Sequence, residues 1–398
     1  MRIESLHIRN VGPFKEATVD FATLANINTE EHPITIITGM NGAGKSIVID
    51  SIRATLSAQV LERNIVADDK DFCVEIDAEY DGTGVKHLSV SQMRDGHFVS
   101  VDYQNLNRLF KHGYDMPEKV YNWVADYWSS RLPSDSFQIK NMVSIEHNNV
   151  LKDSMLGKKS NVALTNFICQ VDYLRSSEMP KEKELGEYLY ASLKSIINEC
   201  LDNGEFLYVR RIDSTPIVRQ NGLELSLEKL SSGNIFLIEH LVMLLCKMYS
   251  VCALNESNPK DLTKISGLLL IDEIENHLHP KWQKKILGII RRTFPNLQII
   301  LTTHSPFVVS SIEGARVYTC VSKGDFSVIV DETDRYTHLP VEEVLASDVF
   351  AVSSFNDEIT EIMKRRKELI SSGDLQGAKL IEKQLLEINP EYFMYLDF

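Results

Sequence analysis

The amino-acid sequence predicts an α/β fold with an N-terminal antiparallel β-lobe and a mainly parallel core sheet. Near the N-terminus, short segments of alternating polar and apolar residues are separated by turn residues, which is typical of antiparallel strands. After residue 234, apolar runs of strand length alternate with helical stretches, which indicates parallel βαβ units. A helical insertion and a helical C-terminal tail complete the prediction.

The same patterns divide the chain into four regions. Residues 1–103 are predicted to form the N-terminal lobe of one folded head, and residues 205–354 its C-terminal lobe. Between them, residues 104–204 are predicted to be a helical insertion that includes a helix at Val120–Trp128. Residues 355–398 read as a charged helical tail, interrupted by a Ser-Ser-Gly break, that suits docking of a partner protein.

The composition is that of a globular chain. Of the 398 residues, 43% are apolar and 25% are charged. Apolar runs such as Ile265–Ile271 have the length of strands, so we expect no membrane-spanning segment. The N-terminus begins with a strand pattern and lacks the apolar core of a signal peptide, so we expect a cytoplasmic protein. The six cysteines form no C-x-x-C pair, so neither a zinc site nor a disulfide framework is indicated.

Binding of nucleic acid would need local basic patches, because the net charge of −14 repels a polyanion. Two predicted helices carry candidate patches, although such clusters on an acidic protein are more often solvated faces. The patches are Lys281, Lys284, Lys285, Arg291 and Arg292 on one helix, and Lys364, Arg365, Arg366 and Lys367 on the other.

A phosphate-binding loop, or P-loop, is predicted at Gly39–Ser46, which matches the pattern G-x-x-x-x-G-K-[ST] between a strand and a helix. Its glycines let backbone N–H groups turn towards phosphate oxygens, and the helix start adds the positive end of its dipole. We expect Lys45 to reach the β- and γ-phosphates of a nucleotide and Ser46 to ligate Mg²⁺. The predicted nucleotide-binding residues are Asn41, Gly42, Ala43, Gly44, Lys45 and Ser46.

An apolar strand that ends in two carboxylates, Leu268–Glu273, is the expected second half of this site. Asp272 is predicted to support the Mg²⁺ shell, directly or through water, and Glu273 to orient and polarise the attacking water. The alternative is a strand that merely ends in acidic turn residues, which the upstream P-loop disfavours.

His304 follows the next predicted strand, which we expect beside the acidic one. A single histidine is usually structural, but this placement favours contact with the γ-phosphate and the attacking water. His277 and His279, together with Glu275, could also mimic a metal cluster, an alternative that we consider weaker.

The segment Ser231-Ser232-Gly233-Asn234 precedes a long apolar helix. Its serine hydroxyls and its glycine N–H would form another anion-binding helix start. Taken alone, the segment is simply a good helix N-cap.

In this order and spacing, the segments resemble the ABC-type ATPases of the OLD, RecF and structural-maintenance-of-chromosomes (SMC) group. The run Asp-Glu-Ile-Glu-Asn-His-Leu-His-Pro, followed by Thr-His-Ser-Pro, looks especially like the OLD-type bacterial ATPases, including those of antiphage systems such as Septu. The matching stretches are Ile3–Phe14, Thr38–Asp50, Gly222–Asn234, Leu268–Gln283 and Thr302–Pro306.

The resemblance implies an ABC-type P-loop NTPase head that uses ATP and Mg²⁺ and works as a homodimer or higher homo-oligomer. Each ATP would be clamped between one P-loop and the signature segment of the other subunit, with Glu275–Pro280 crossing the interface as the D-loop. The signature residues implied to contact the partner's ATP are Ser231, Ser232, Gly233 and Asn234.

Some positions depart from the family pattern. Asn234 stands where Gln or Glu is more common, and the Q-loop glutamine is left open between Gln59, in a predicted helix, and Gln92, after a predicted strand. The insertion of about 100 residues shows no extended heptad pattern, so a long coiled-coil arm is not expected. The stretch after His304 lacks the Glu plus Asp-x-Asp pattern of the OLD nuclease domain.

The leading hypothesis is therefore an ATPase subunit of an antiphage system that regulates a separate effector, such as a nuclease. The alternative is a DNA-repair or recombination clamp of the RecF type that binds duplex DNA directly. A third hypothesis, the nucleotide-binding subunit of a transporter, needs a membrane partner and usually a clear Q-loop and LSGGQ signature.

Overall fold

A computed structural model shows the chain as two compact units, Met1–Leu339 and Pro340–Phe398. The internal borders predicted at residues 103 and 204 stay a prediction. The structure describes residues 1–28, 32–63, 65–66, 71–94, 97–100, 103–115, 120–130, 143–157, 163–336, 339–345, 347 and 357–393.

Ten strands of the first unit form one mixed sheet in the order β5-β4-β1-β2-β15-β14-β3-β13-β12-β8. Strands β9 to β11 form a separate three-stranded sheet, and β6 pairs with β7. The strands are β1 (Arg2–Val11), β2 (Phe14–Asp20), β3 (Ile34–Gly39), β4 (Cys73–Glu79), β5 (Lys86–Val90), β6 (Met93–Arg94), β7 (His97–Phe98), β8 (Trp123–Trp128), β9 (Gly204–Arg210), β10 (Thr215–Gln220), β11 (Leu223–Ser226), β12 (Ser266–Ile271), β13 (Leu297–Thr302), β14 (Arg316–Ser322) and β15 (Ser327–Asp331).

The predicted fold class is confirmed. Strands β5, β4, β1 and β2 pair antiparallel and form the N-terminal lobe. Strands β14, β3, β13, β12 and β8 pair parallel and form the core. Parallel strands are covered on both faces, so they need apolar residues at consecutive positions, and every residue of β3 and β13 is buried.

The described helices surround this sheet and build the second unit. The α-helices are α1 (Lys45–Ser57), α2 (Gln104–His112), α3 (Leu164–Leu174), α4 (Pro180–Glu199), α5 (Ser232–Leu254), α6 (Pro280–Gln283), α7 (Ile286–Thr293), α8 (Pro306–Val309), α9 (Thr333–Tyr336), α10 (Val341–Leu345), α11 (Asp357–Ser371), α12 (Leu375–Ile388) and α13 (Pro390–Phe393).

Two helix predictions are wrong. Val120–Trp128 contains strand β8, which pairs parallel with β12, because its aromatic and β-branched residues suit a strand buried on both faces. Helix α1 ends at Ser57, so Gln59 is not helical and instead pairs with His97 in an isolated bridge. The choice between Gln59 and Gln92 for the Q-loop stays open.

Helix α5 is longer than the strand-length apolar runs that the sequence led us to expect. It has 23 residues and contains an 18-residue window with a mean hydropathy of 1.8, which is long and apolar enough to cross a membrane by length and composition, and 78% of that window is buried in the protein. A helix buried on all sides needs apolar residues around its whole circumference, so a core helix passes the same test.

Three residues of the predicted basic patches form ion pairs with neighbouring carboxylates. Lys281 pairs with Asp202 at 2.9 Å, Arg292 pairs with Glu199 at 2.9 Å, and in the second unit Arg366 pairs with Glu382 at 2.8 Å. The prediction that these clusters are ordinary faces of an acidic protein is thus supported for these three residues.

The second unit contains the predicted helical hairpin. Helices α11 and α12 are separated by the Ser-Ser-Gly break, as expected from the sequence. Its small core is formed by buried Ile381, Leu385 and Phe393. All six cysteines of the chain are free thiols, and five of them are buried.

A buried ion pair fastens α5 to the edge of the parallel sheet. The Lys247 ammonium donates to Asp126 of β8, and the two residues are only 8% and 6% exposed. The other carboxylate oxygen of Asp126 accepts a hydrogen bond of 3.2 Å from the Trp128 indole. Removing one partner would leave an uncompensated buried charge.

We therefore expect Lys247→Ala to lower the free energy of unfolding by about 3–5 kcal/mol. Urea denaturation followed by tryptophan fluorescence measures it, because all three tryptophans lie in the first unit. Lys247→Met combined with Asp126→Asn should lose less than Lys247→Ala. As a control, Lys260→Ala removes an exposed pair with Glu184 and should cost within about 0.5 kcal/mol. Equal losses for Lys247→Ala and Lys260→Ala would contradict the assignment.

Candidate nucleotide-binding site

The P-loop lies between β3 and α1, as predicted, and two of its glycines cannot be replaced without strain. Gly39 has a φ of 138°, and a Cβ there would lie 2.3 Å from the Cys320 carbonyl oxygen of β14. Gly44 has a φ of 103°, and a Cβ there would lie 2.6 Å from the Phe14 ring. Asn41 and Gly42, at the tip, are exposed. The loop is therefore held close to the sheet while its tip stays open.

Lys45 folds back over the P-loop. Its ammonium donates to the carbonyl oxygens of Gly39 and Met40 at 3.0 and 2.9 Å. Burial lowers the pKa of Lys45, and nearby acidic groups, including Glu273 and Glu275, oppose that shift. The side chain thus places a cation at the point where phosphate groups would enter.

Ser46 and Asp272, which lie far apart in the sequence, are in direct contact. The Ser46 hydroxyl donates to Oδ1 of Asp272 at 2.8 Å. The same oxygen accepts a hydrogen bond of 2.7 Å from the Thr302 hydroxyl at the end of β13. Hydroxyl and carboxylate oxygens are ligands that Mg²⁺ prefers, so the pair fits the predicted metal role.

Glu273 follows Asp272 in a strained backbone conformation. Its φ of 53° lies in the left-handed region, which is rare for residues other than glycine and is found at functional sites. Its backbone N–H donates to the Thr302 hydroxyl oxygen at 2.8 Å, and the Asn276 amide donates to its Oε2 at 2.7 Å. In the described part of the chain, Oε1 of Glu273 accepts no hydrogen bond.

His304 joins the site through Glu275. The Glu275 carboxylate accepts hydrogen bonds from the Thr303 hydroxyl at 2.7 Å and from the His304 backbone N–H at 2.5 Å. Burial raises the pKa of Glu275. Burial and the Lys45 ammonium lower the pKa of His304, while Glu273 and a hydrogen bond to the Gly39 backbone oppose the shift. His304 therefore lies against the P-loop as a neutral imidazole at pH 7.

A further buried carboxylate, Asp50, is linked to Asp272 through Arg63. It is buried and accepts hydrogen bonds from Arg53 at 2.5 Å and from Arg63 at 3.0 Å. The Arg63 guanidinium also lies 3.7 Å from Oδ2 of Asp272. Asp50 was not among the predicted site residues, although it stands one helical turn after Ser46 and so shares its face. Nothing local in the sequence marks Arg63.

The signature segment caps α5, as expected, but its four residues differ in exposure. Ser231 and Ser232 are exposed, whereas Gly233 and Asn234 are buried. The Asn234 amide turns inward and donates to the Cys200 carbonyl oxygen at 2.6 Å, so it is not presented to a second subunit in this arrangement. Within the described residues, no hydrogen bond joins the segment to the P-loop.

The structure does not bring Glu275, His277 and His279 together as a metal cluster, the alternative that we considered weaker. His277 contacts the Ser130 carbonyl oxygen at 3.1 Å, and His279 accepts a hydrogen bond from the Lys281 N–H at the start of α6. The Glu275 carboxylate accepts hydrogen bonds from Thr303 and His304. The described residues contain no group of three or more His, Cys, Asp or Glu side chains placed to hold a metal ion.

The environment of His304 gives a titration prediction. We expect its imidazole to titrate below 6.5, and Lys45→Met to move that pKa upward because a nearby cation is lost. His7 is an internal control, since its hydrogen bond to Glu75 raises its pKa above 6.5. Histidine-labelled NMR spectra across pH measure both. A His304 that titrates above His7, or that ignores Lys45→Met, would contradict this electrostatic picture.

Comparison with known proteins finds AAA-domain families and ATPase relatives. Residues 94–310 match the family described as "AAA domain, putative AbiEii toxin, Type IV TA system", and residues 1–62 match a second family described as "AAA domain". The chain is 22% identical to the Retron Ec83 probable ATPase of Escherichia coli over 455 residues, which cover 94% of this chain and 80% of that protein. It is 29% identical to the Septu protein PtuA of Bacillus mycoides (strain KBAB4) over 116 residues, which cover 27% of this chain and 15% of PtuA.

Among solved structures, the SMC head bound to the C-winged helix domain of ScpA superposes with a TM-score of 0.51 at 13% identity, covering 83% of this chain and 98% of that one. This likeness concerns the fold alone. The predicted resemblance to the heads of SMC-like ATPases is thus confirmed for the fold. The match to the first family spans more than half of the 398 residues of this chain, so the chain belongs to that AAA-domain family.

Proposed function

We propose that this protein binds and hydrolyses Mg²⁺-ATP at the site between the P-loop and the ends of β12 and β13. The observation that carries the proposal is the 2.8 Å hydrogen bond between Ser46 and Asp272, which unites the phosphate-binding loop with the acidic strand. The site suits a nucleoside triphosphate with its metal. It combines an exposed loop tip, a buried lysine and the oxygens of Ser46 and Asp272 at one edge of a parallel sheet.

Each residue has a distinct task in this proposal. The backbone N–H groups of Asn41–Ser46 and the Lys45 ammonium bind the phosphates, and Ser46 with Asp272 would hold Mg²⁺. Bound there, Mg²⁺ would supply neutralisation of the charge that develops on the phosphate oxygens. Glu273 accepts a hydrogen bond from the attacking water through Oε1, because Asn276 already occupies Oε2. The neutral His304 donates a hydrogen bond near the terminal phosphate.

We further propose that the site is completed by a second copy of the chain. Ser231 and Ser232 are exposed at the N-terminus of the 23-residue helix α5, where unpaired N–H groups attract anions. Among the residues that the structure describes, neither hydroxyl forms a hydrogen bond with the P-loop of the same chain. A head-to-tail dimer or higher homo-oligomer would bring them to the ATP of a partner, with Asn234 supporting the cap from inside.

We place this ATPase in antiphage defence, where it would control a separate effector protein such as a nuclease. The similarity to an ATPase of a retron and to a Septu protein supports this role. The second compact unit, Pro340–Phe398, is our candidate for effector docking. A cytoplasmic location stays a prediction. The duplex-DNA clamp is less favoured, because Lys281 and Arg292 are already ion-paired.

A first experiment tests hydrolysis and assembly together. Glu273→Gln keeps the shape of the side chain but loses the basic carboxylate, so ATP turnover should fall by about 10²–10⁴-fold. Because ATP then persists, light scattering after gel filtration should show an ATP-dependent increase in mass. Lys45→Ala, which loses phosphate binding, should show neither turnover nor the increase.

Glu187→Gln, at an exposed position of α4, is the matched control and should behave as the natural chain. Ser232→Arg should block assembly while leaving ATP binding by the monomer intact. If Glu273→Gln binds ATP without any change in mass, the interface-closing model is wrong.

A second experiment tests the defence role. Affinity purification of the tagged chain, expressed with the products of its neighbouring genes, should recover one of them as a stable complex. Cells carrying this gene set should resist phage, and Lys45→Ala should remove the resistance because the ATPase cycle stops. Full resistance with Lys45→Ala, or no associated effector, would count against the role.

A further inference from the structure

A second cleft lies away from the candidate ATP site, between the C-terminal end of α1, the β6–β7 hairpin and helix α2. It encloses about 410 Å³. Its described lining is polar and basic. The lining residues are Ser57, Ala58, Gln59, His97, Phe98, Val99, Ser100, Gln104, Asn107, Arg108, Lys111 and His112. We call it the α2 groove.

The charge of the α2 groove is opposite to that of the whole protein. Four basic side chains line it, His97, Arg108, Lys111 and His112, and all four are exposed. None of them forms an ion pair in the described part of the chain, and no described lining residue is an Asp or a Glu. In a chain with a net charge of −14, this concave cluster of unpaired basic side chains is a local site that would attract an anion.

The basic side chains form a row rather than a single point. Arg108, Lys111 and His112 stand at positions i, i+3 and i+4 of α2, so they share one face and extend along about one helical turn. His97, from β7, also lines the groove. A row of donors suits a chain of phosphates better than one compact anion.

The floor of the groove is built to tolerate an anion. The last turn of α1 points its carbonyl groups in this direction, and such groups repel negative charge. Here the carbonyl oxygens of Thr55 and Leu56 accept hydrogen bonds of 3.3 and 2.7 Å from the amide of Asn107, which is 8% exposed. The Ser100 hydroxyl in turn donates to Asn107. Helix α2 is thereby fixed on α1.

We propose that the α2 groove binds the phosphate backbone of a nucleic-acid strand. The Phe98 ring in its lining is 5% exposed, so it offers bases little surface on which to stack. Contacts from basic side chains to phosphates carry no sequence information, so we expect binding to be independent of base sequence. The groove lies at the end of α1 opposite the P-loop, about 20 Å along the helix, and its ligand does not require bound ATP.

The test is fluorescence anisotropy of the full chain with a labelled single strand of about 20 nucleotides, titrated between about 50 and 200 mM salt. Arg108→Glu combined with Lys111→Glu should weaken binding at least tenfold and reduce the slope of log affinity against log salt by about 2. The matched control, Lys181→Glu with Lys183→Glu on α4, makes the same change in net charge at exposed positions and should keep near-natural affinity.

Each outcome decides the proposal. The proposal is supported if only the Arg108/Lys111 variant loses binding. The loss should be the same with strands of scrambled sequence. Equal losses in both double variants would show a bulk charge effect and overturn it. So would binding of pyrophosphate, detected by calorimetry, without binding of the strand.

Two further variants separate this proposal from folding defects and from the ATPase proposal. Arg108→Gln with Lys111→Gln, checked by circular dichroism, should also lose binding without introducing negative charge, and natural affinity in this variant would overturn the proposal. Lys45→Ala should bind the strand as the natural chain does, so failure of the ATP site leaves this result unaffected.

Discussion

The parallel pairing of β13 with both β3 and β12 is the constraint on which the candidate ATP site depends. In a parallel sheet, the carboxyl ends of neighbouring strands meet at one edge. β13 ends at Thr302, between the P-loop that follows β3 and the carboxylates that follow β12. The threonine hydroxyl donates to Asp272 and accepts from the backbone N–H of Glu273, so one small side chain sets the position of both acidic residues.

The next residue repeats this arrangement for the second part of the site. Thr303 donates to Glu275, and the backbone N–H of His304 donates to the same carboxylate. A buried carboxylate that accepts two such hydrogen bonds holds the loop before α8 in one conformation. The orientation of His304 towards the P-loop is therefore a property of β13 and the D-loop together, and not of the histidine alone.

The positions of segments made of consecutive residues could be predicted from the sequence. The P-loop and the Asp272–Glu273 pair are local patterns, and their strand and helix contexts are visible in the apolar spacing. The sequence did not predict contacts between distant segments, such as Arg63 with Asp50 or Lys247 with Asp126, because no local signal encodes which segments become neighbours. The buried run at Val120–Trp128 was assigned to a helix because short apolar runs suit either structure. The inward turn of Asn234 depends on the Cys200 carbonyl, which belongs to the loop after α4.

Helix α5 has a mechanical consequence. Its 23 residues make a rod of about 35 Å that begins at the exposed serines and is enclosed by the core for most of its length. Lys247 ties the rod to β8, and the end of β8 accepts a hydrogen bond from the backbone of Asp272. A force on Ser231 and Ser232 would be transmitted along the helix rather than relieved by local bending, because close-packed interiors transmit strain. The stiffness of the core, rather than any flexible loop, would then determine how strongly a movement of Ser231 and Ser232 at the surface is transmitted to the acidic strand β12.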